Sequence, residues 1–200
     1  MVPPSWLVTA MNAAEQVLRE IEAIGSKSFI PIIGPKKGKI LEAAVRERKP
    51  KLVLEVGTLV GYSAILMARF LPKDGRIISI EMDRNSAEIA RRNIGKAGFS
   101  GKTEVIVGDA KHVIPRFNEF FDLVFIDATK EEYLTYLKLV EAKLRRGSVV
   151  VADNAGIFAD RLAEYLAYVR NSGKYRSRYY ESTLEFNDNV KDGVEVSTKL

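Results

Sequence analysis

The sequence predicts an α/β fold, a mostly parallel sheet with helices on both faces and an antiparallel hairpin at its C-terminal end. Three observations lead there. Leu52, Val53, Leu54 and Val56 form an apolar run, broken only by Glu55, that reads as a strand buried on both faces. Four more short apolar runs follow, each separated from the next by a helical pattern, and this alternation implies right-handed parallel crossovers. The last two runs are joined by a connection too short for a parallel crossover, so they pair antiparallel. Seven strands result.

Each element has its own signal. Pro4 to Ile24 shows helical apolar spacing (Leu7, Met11, Ala14, Val17, Leu18, Ile21), with Trp6 as a packing residue and Gly25-Ser26 as its end. The segment SKSFIPIIGPKKGK reads as a loop. It is apolar for a loop (Phe29, Ile30, Ile32, Ile33), which suits either a segment folded on the core or a flap over a site. A helix from Lys37 to Arg48 leads into the central strand. Gly57 and Gly61 then make a turn into a helix over Tyr62–Leu71. Strand Arg76–Glu81, helix Arg84–Ala97, strand Thr103–Val107, a short helix to about Phe117 and strand Asp122–Ile126 come next. Helix Glu131–Leu144 is expected to end at Arg145-Arg146-Gly147, where basic residues and glycine suit a helix C-terminus. Strand Ser148–Ala152, helix Asp160–Asn171 and strands Arg176–Phe186 and Val194–Lys199 complete the chain, the last two linked by the turn-rich NDNVKDG.

Composition narrows the chemistry. A length of 200 residues suits one domain, with N-terminal helices and flap over 1–50 and a core over 51–200. There is no cysteine and one histidine, His112, which excludes thiolate chemistry and argues against a histidine metal cluster or a Ser-His-Asp hydrolase. His112 itself reads as structural or solvent-facing. The N-terminus lacks a basic start followed by an apolar core, and no apolar run is long enough to span a membrane, so a cytoplasmic protein without membrane association is expected. The net charge of +5 is small enough to be solvated surface.

In open α/β sheets ligands bind beyond the carboxyl ends of the strands. Glu55, Glu81, Asp83, Asp109, Asp127, Asp153 and Asn154 all stand at such ends. A single carboxylate there is a helix cap, but several converging ones repel unless a cation or ligand hydroxyls compensate them. Glu81 ends the second strand, where a carboxylate can accept both hydroxyls of a ribose. The dinucleotide fingerprint G-x-G-x-x-G is absent, because Leu59 and Tyr62 occupy its later glycine positions. Asp127 and Asp153-Asn154 end adjacent strands and offer a hard, all-oxygen donor set that suits Mg²⁺; two helix caps and a turn asparagine are the plainer alternative. Lys130 follows Asp127 by three residues. Near a dication its ammonium form is disfavoured, which makes it a candidate general base, against the commoner fate of a solvated lysine.

At these residues the chain resembles the cation-dependent O-methyltransferases, the catechol O-methyltransferase and caffeoyl-CoA O-methyltransferase superfamily. The matching stretches are GPKKGKIL, VLEVGTLVGYSAILMARFL, IISIEMD, VIVGDA, FDLVFIDATK, VVVADN and the late STLEF followed by DG. The resemblance implies a class I methyltransferase Rossmann-like sheet. It implies an S-adenosylmethionine pocket shaped by Ile33, Glu55, Gly57, Tyr62 and Ser63, with Glu81 on the ribose, Met82 against the adenine, and Asp109 and Ala110 at its border. Gly34 would share Ile33's segment. Asp127, Asp153 and Asn154 would hold Mg²⁺, and Asp127 would also border the cofactor. Lys130 would be the base, and Lys130, Asn154 and Glu185 would meet the acceptor. The implied reaction transfers a methyl group to one hydroxyl of a catechol-like vicinal diol. Relatives that methylate a hydroxylated tRNA base make tRNA the alternative partner, with phosphate contacts from PKKGK, RERKPK and KYRSRYY. A homodimer is compatible with the sequence. Three places depart from the pattern: Ala128-Thr129 within DATK, the Ala155-Gly156-Ile157-Phe158 loop after ADN, and Pro31.

Overall fold

The computed structural model describes residues 12–200. The helical start expected at Pro4, with Trp6, Leu7 and Met11, lies outside the described residues. Seven strands form one sheet in the order β3-β2-β1-β4-β5-β7-β6. β1 (Leu52–Val56), β2 (Arg76–Glu81), β3 (Thr103–Val107), β4 (Phe121–Ile126) and β5 (Leu144–Ala152) run parallel. β7 (Asn187–Lys199) inserts antiparallel between β5 and the edge strand β6 (Tyr175–Leu184). The expected mostly parallel sheet with a C-terminal antiparallel hairpin is therefore the fold.

β1 is buried along its whole length, as an apolar run flanked by two strands requires. Its side chains alternate between two cores. Val53 joins α1 (Ala13–Ser28), α2 (Gly34–Arg48), α3 (Tyr62–Ala68) and α4 (Arg84–Lys96) on one face. Leu54 and Val56 join α5 (Ala110–Val113), α6 (Tyr133–Glu141) and α7 (Ala163–Asn171) on the other.

Several boundaries differ from the sequence reading. α1 starts at Ala13, where Asn12 Oδ1 accepts the Glu15 N–H at 2.9 Å, and it runs through Gly25 to Ser28. Gly25 is no terminator. A Cβ there would lie 2.7 Å from the Phe186 ring, so its bareness makes room for a packed aromatic. α2 begins at Gly34 rather than Lys37, because Pro35 sits in the first turn, where no amide proton is needed. The residues read as the end of α6 belong to β5, which starts at Leu144 beside Phe121 with a bulge before Leu123. The NDNVKDG segment is strand and not turn: Ser182 pairs with Asp192 and Thr183 with Lys191, and the reversal falls on Glu185-Phe186. That tight reversal packs the hairpin tip onto the α1–α2 connection.

Candidate active site

The carboxyl ends of β1, β2, β3 and β4 open into a cleft of about 440 Å³. Gly57, Glu81, Met82, Asp109, Ala110, Asp127 and Lys130 line it, together with Pro31 from the α1–α2 connection and Ala128-Thr129. Seven of the residues singled out in the sequence are thus brought to one place. Gly57 must be glycine: its φ is +89°, and a Cβ would lie 2.1 Å from the Asp127 carbonyl oxygen. Glu81 Oε2 accepts the N–H groups of Thr58 at 3.2 Å and Leu59 at 2.8 Å, and Oε1 accepts that of Asp83 at 2.9 Å. One carboxylate therefore ties the glycine turn to the end of β2. Met82 projects from the rim, 68% exposed. Asp83 and Asp109 act as helix caps, accepting the N–H groups of Ser86 and Lys111.

Glu55, Tyr62, Ser63 and Ile33 lie outside the lining of this cleft. Ile33 is buried at the head of α2. The Tyr62 hydroxyl donates to Glu22 on α1 at 2.5 Å. Glu55 is fully buried beneath the turn and accepts hydroxyl protons from Thr58 at 2.7 Å, Ser63 at 2.5 Å and Ser79. Burial pushes its carboxyl up to about 7 from a usual 4.5, against the pull of the Ser63, Ser79 and Thr58 hydroxyls. Because the folded value is the higher one, the stability this group gives is complete below about pH 4.5 and is lost as pH rises through 7. The shift corresponds to about 3 kcal/mol. In urea titrations of metal-free protein, Glu55→Gln is expected to remove this loss, so that the variant gains on the parent between pH 5 and 8. Parallel profiles would refute the assignment.

A second group of charges sits beside the cleft, at the ends of β4 and β5. Asp127 Oδ1 receives a hydrogen bond from Lys130 Nζ at 2.9 Å, and Lys130 also donates to the Tyr133 hydroxyl at 2.9 Å. Burial, then the charges of Asp127 and Asp153, hold the Tyr133 phenol well above its ordinary range, so it stays protonated. Asp153 is 1% exposed. Burial first and the Asp127 charge second push its carboxyl well above the usual carboxylate range, against the pull of Lys37 and Lys130. Its Oδ2 accepts from Lys37 Nζ at 2.9 Å, while Oδ1 is buried with no hydrogen-bond partner among the described residues. Asn154 takes a left-handed backbone (φ +58°) and donates its amide to Asp192 at 2.9 Å. Glu185 is buried at the hairpin tip, its Oε2 3.5 Å from Lys37 Nζ and likewise without a hydrogen bond. Gly34 makes this approach possible, since a Cβ there would lie 2.6 Å from Glu185 Cβ.

The donors at this end are hard oxygens: two carboxylates and an amide. Among the described residues no set of three or more Asp, Glu or His side chains is arranged around a common point for a metal. A cation here would rely on Asp127, Asp153 and the Asn154 amide oxygen. They fit one: Asp153 Oδ1 is an orphaned buried acceptor, and four carboxylates (Asp127, Asp153, Glu185, Asp192) face only two ammonium groups, Lys37 and Lys130.

Sequence reasoning overlooked Lys37, Asp192 and Tyr133. Lys37 and Asp192 lie in stretches read as a helix start and a turn. Tyr133 falls within the stretch read as helix Glu131–Leu144, where the sequence pattern gives it no role.

A family model described as O-methyltransferase matches residues 9–197, and the chain belongs to that family. It is similar to catechol O-methyltransferase B of Danio rerio, 42% identical over 175 residues, covering 84% of this chain and 65% of the zebrafish protein. It thus spans just under two thirds of that relative. Catechol O-methyltransferase of Sus scrofa is 35% identical, with 82% of this chain and 90% of the pig protein covered. Among solved structures, the O-methyltransferase TomG of Streptomyces achromogenes, involved in tomaymycin synthesis and in complex with SAM, matches with a TM-score of 0.81 at 26% identity, over 98% of this chain and 93% of that one. An O-methyltransferase from Bacillus cereus in complex with SAH has the same fold, with a TM-score of 0.82 at 24% identity over 98% of this chain and 94% of that one. Among the described residues no helix is long and apolar enough to cross a membrane.

Proposed function

We propose that this chain works as one S-adenosylmethionine-dependent, divalent-cation-dependent O-methyltransferase domain acting on a small vicinal diol. The observation that carries this reading is the juxtaposition of a cofactor-sized cleft with Lys130 and the unpartnered oxygen of Asp153. S-adenosylmethionine supplies an electrophilic methyl group. Glu81 would receive its ribose hydroxyls and Met82 would cover its adenine, with Lys130 lining the same cleft. Mg²⁺, held by Asp127, Asp153 and Asn154, would make an acceptor hydroxyl more acidic. The ammonium form of Lys130 would be disfavoured beside the same cation, and the neutral amine would take that proton. Its neighbours Asp127 and Tyr133 hold the amine in place, and Tyr133, being protonated, does not compete as base. Glu185 Oε2, buried without a hydrogen bond, would accept from a second hydroxyl once an acceptor reached it, and the choice of a diol over a single alcohol rests on that role. The remaining work is alignment of oxygen, methyl carbon and sulfur.

A hydroxylated tRNA base is the second reading. Arg48, from RERKPK, and Arg176 and Arg178, from KYRSRYY, line one open groove between α2 and β6. Methyl transfer from labelled S-adenosylmethionine to a catechol panel, with Mg²⁺ or with EDTA and with bulk tRNA in parallel, tests both. Labelled catechol that disappears with EDTA is expected. Label on tRNA alone would replace the small-molecule acceptor, and EDTA-resistant transfer would remove the cation.

A further inference from the structure

Lys37, the fourth residue of α2, has none of its surface exposed, and the chemistry above gives it no step. Burying an ammonium is costly, so its place must be justified by what it touches. Nζ donates to Asp153 Oδ2 at 2.9 Å and to Asp192 Oδ2 at 2.6 Å, and lies 3.5 Å from Glu185 Oε2. The first contact pins one oxygen of Asp153 and leaves Oδ1 as the free donor. The second fixes Asp192. That carboxylate in turn accepts the Asn154 side-chain amide at 2.9 Å through Oδ2, and the N–H groups of Gly156 and Ile157 at 3.2 and 3.0 Å through Oδ1. With its nitrogen turned to Asp192, Asn154 presents its oxygen the other way.

We propose that Lys37 is a positioning residue for the cation site, setting Asp153 directly and Asn154 through Asp192. The proposal rests on the divalent-cation reading given above. A rival role, that of simple counter-charge, predicts the opposite sign, because removing a positive charge near a cation would tighten its binding. Geometry separates the two further. Mg²⁺ demands a near-ideal octahedron, whereas Ca²⁺ tolerates irregular oxygen sets.

The test uses Mn²⁺ binding, followed by loss of the free-ion paramagnetic resonance signal, with Mg²⁺ or Ca²⁺ as competitor. It is run on the parent, Lys37→Met and Asp192→Ala. Both variants are expected to bind Mg²⁺ about 10–100-fold more weakly, the range seen when an outer partner of a metal ligand is lost. Ca²⁺ should weaken less, so the Mg²⁺/Ca²⁺ preference falls. A Lys37→Met protein that binds Mg²⁺ as tightly as the parent, or tighter, overturns the positioning role while leaving the cation reading intact. A parent that binds no Mn²⁺ overturns the cation reading and this role together. Where circular dichroism shows Lys37→Met unfolded, Asp192→Ala decides through the Asn154 arm, and an unchanged Mg²⁺/Ca²⁺ preference there overturns the proposal.

Discussion

Replacing Lys130 with methionine is expected to lower kcat by about 10²–10⁴, the usual worth of a positioned general base. Methionine keeps most of the side chain's length in the space beside the Tyr133 and Phe158 rings, whose centroids lie 5.2 and 5.9 Å from Nζ. What it loses is the site that receives the proton. S-adenosylmethionine affinity should therefore stay within a few-fold of the parent. The deficit should also shrink along a series of acceptors of rising acidity, because a nitro-substituted catechol, already ionised at neutral pH, needs no base. Measuring kcat for parent and variant across that series checks the point. A deficit that does not change with acceptor acidity would mean that Lys130 aligns the acceptor rather than taking its proton.

The second large effect is expected at Asp153. Asp153→Asn keeps the shape and leaves an oxygen for Lys37, but it replaces a buried carboxylate oxygen that has no hydrogen-bond partner by a neutral group. Methyl transfer should fall by about 100-fold or more and lose its response to added Mg²⁺. Fluorescence titration with S-adenosylmethionine serves as the control, because Asp153 is not among the residues lining the cofactor cleft. Full activity that EDTA still abolishes would show that the cation is held elsewhere.

What the sequence made legible was local. The parallel strands announce themselves as apolar runs, and the glycine turn, Glu81, Asp127 and Asp153 each follow directly from a strand end. One rim therefore collects them whatever the loops do. What stayed hidden depends on pairs distant along the chain. Lys37 meets Asp153 and Asp192 across 116 and 155 residues. A lysine in PKKGK and an aspartate in NDNVKDG look like solvated charges until α2 and β7 are folded against β5. Gly25 misled for the same reason, since the ring that requires it is Phe186. NDNVKDG misled because turn-forming residues can sit in a strand when a bulge and paired neighbours take up their backbone groups.

The place of β7 in the sheet also ties the two ends of the described fold together. Lys37 sits at the start of α2, yet its shortest contact belongs to Asp192 in the final strand, which lies between β5 and β6. Without that strand the ammonium would keep only part of its compensation, and α2 would lose one reason to stay buried against the sheet. The candidate site is therefore complete only when β7 is paired to β5.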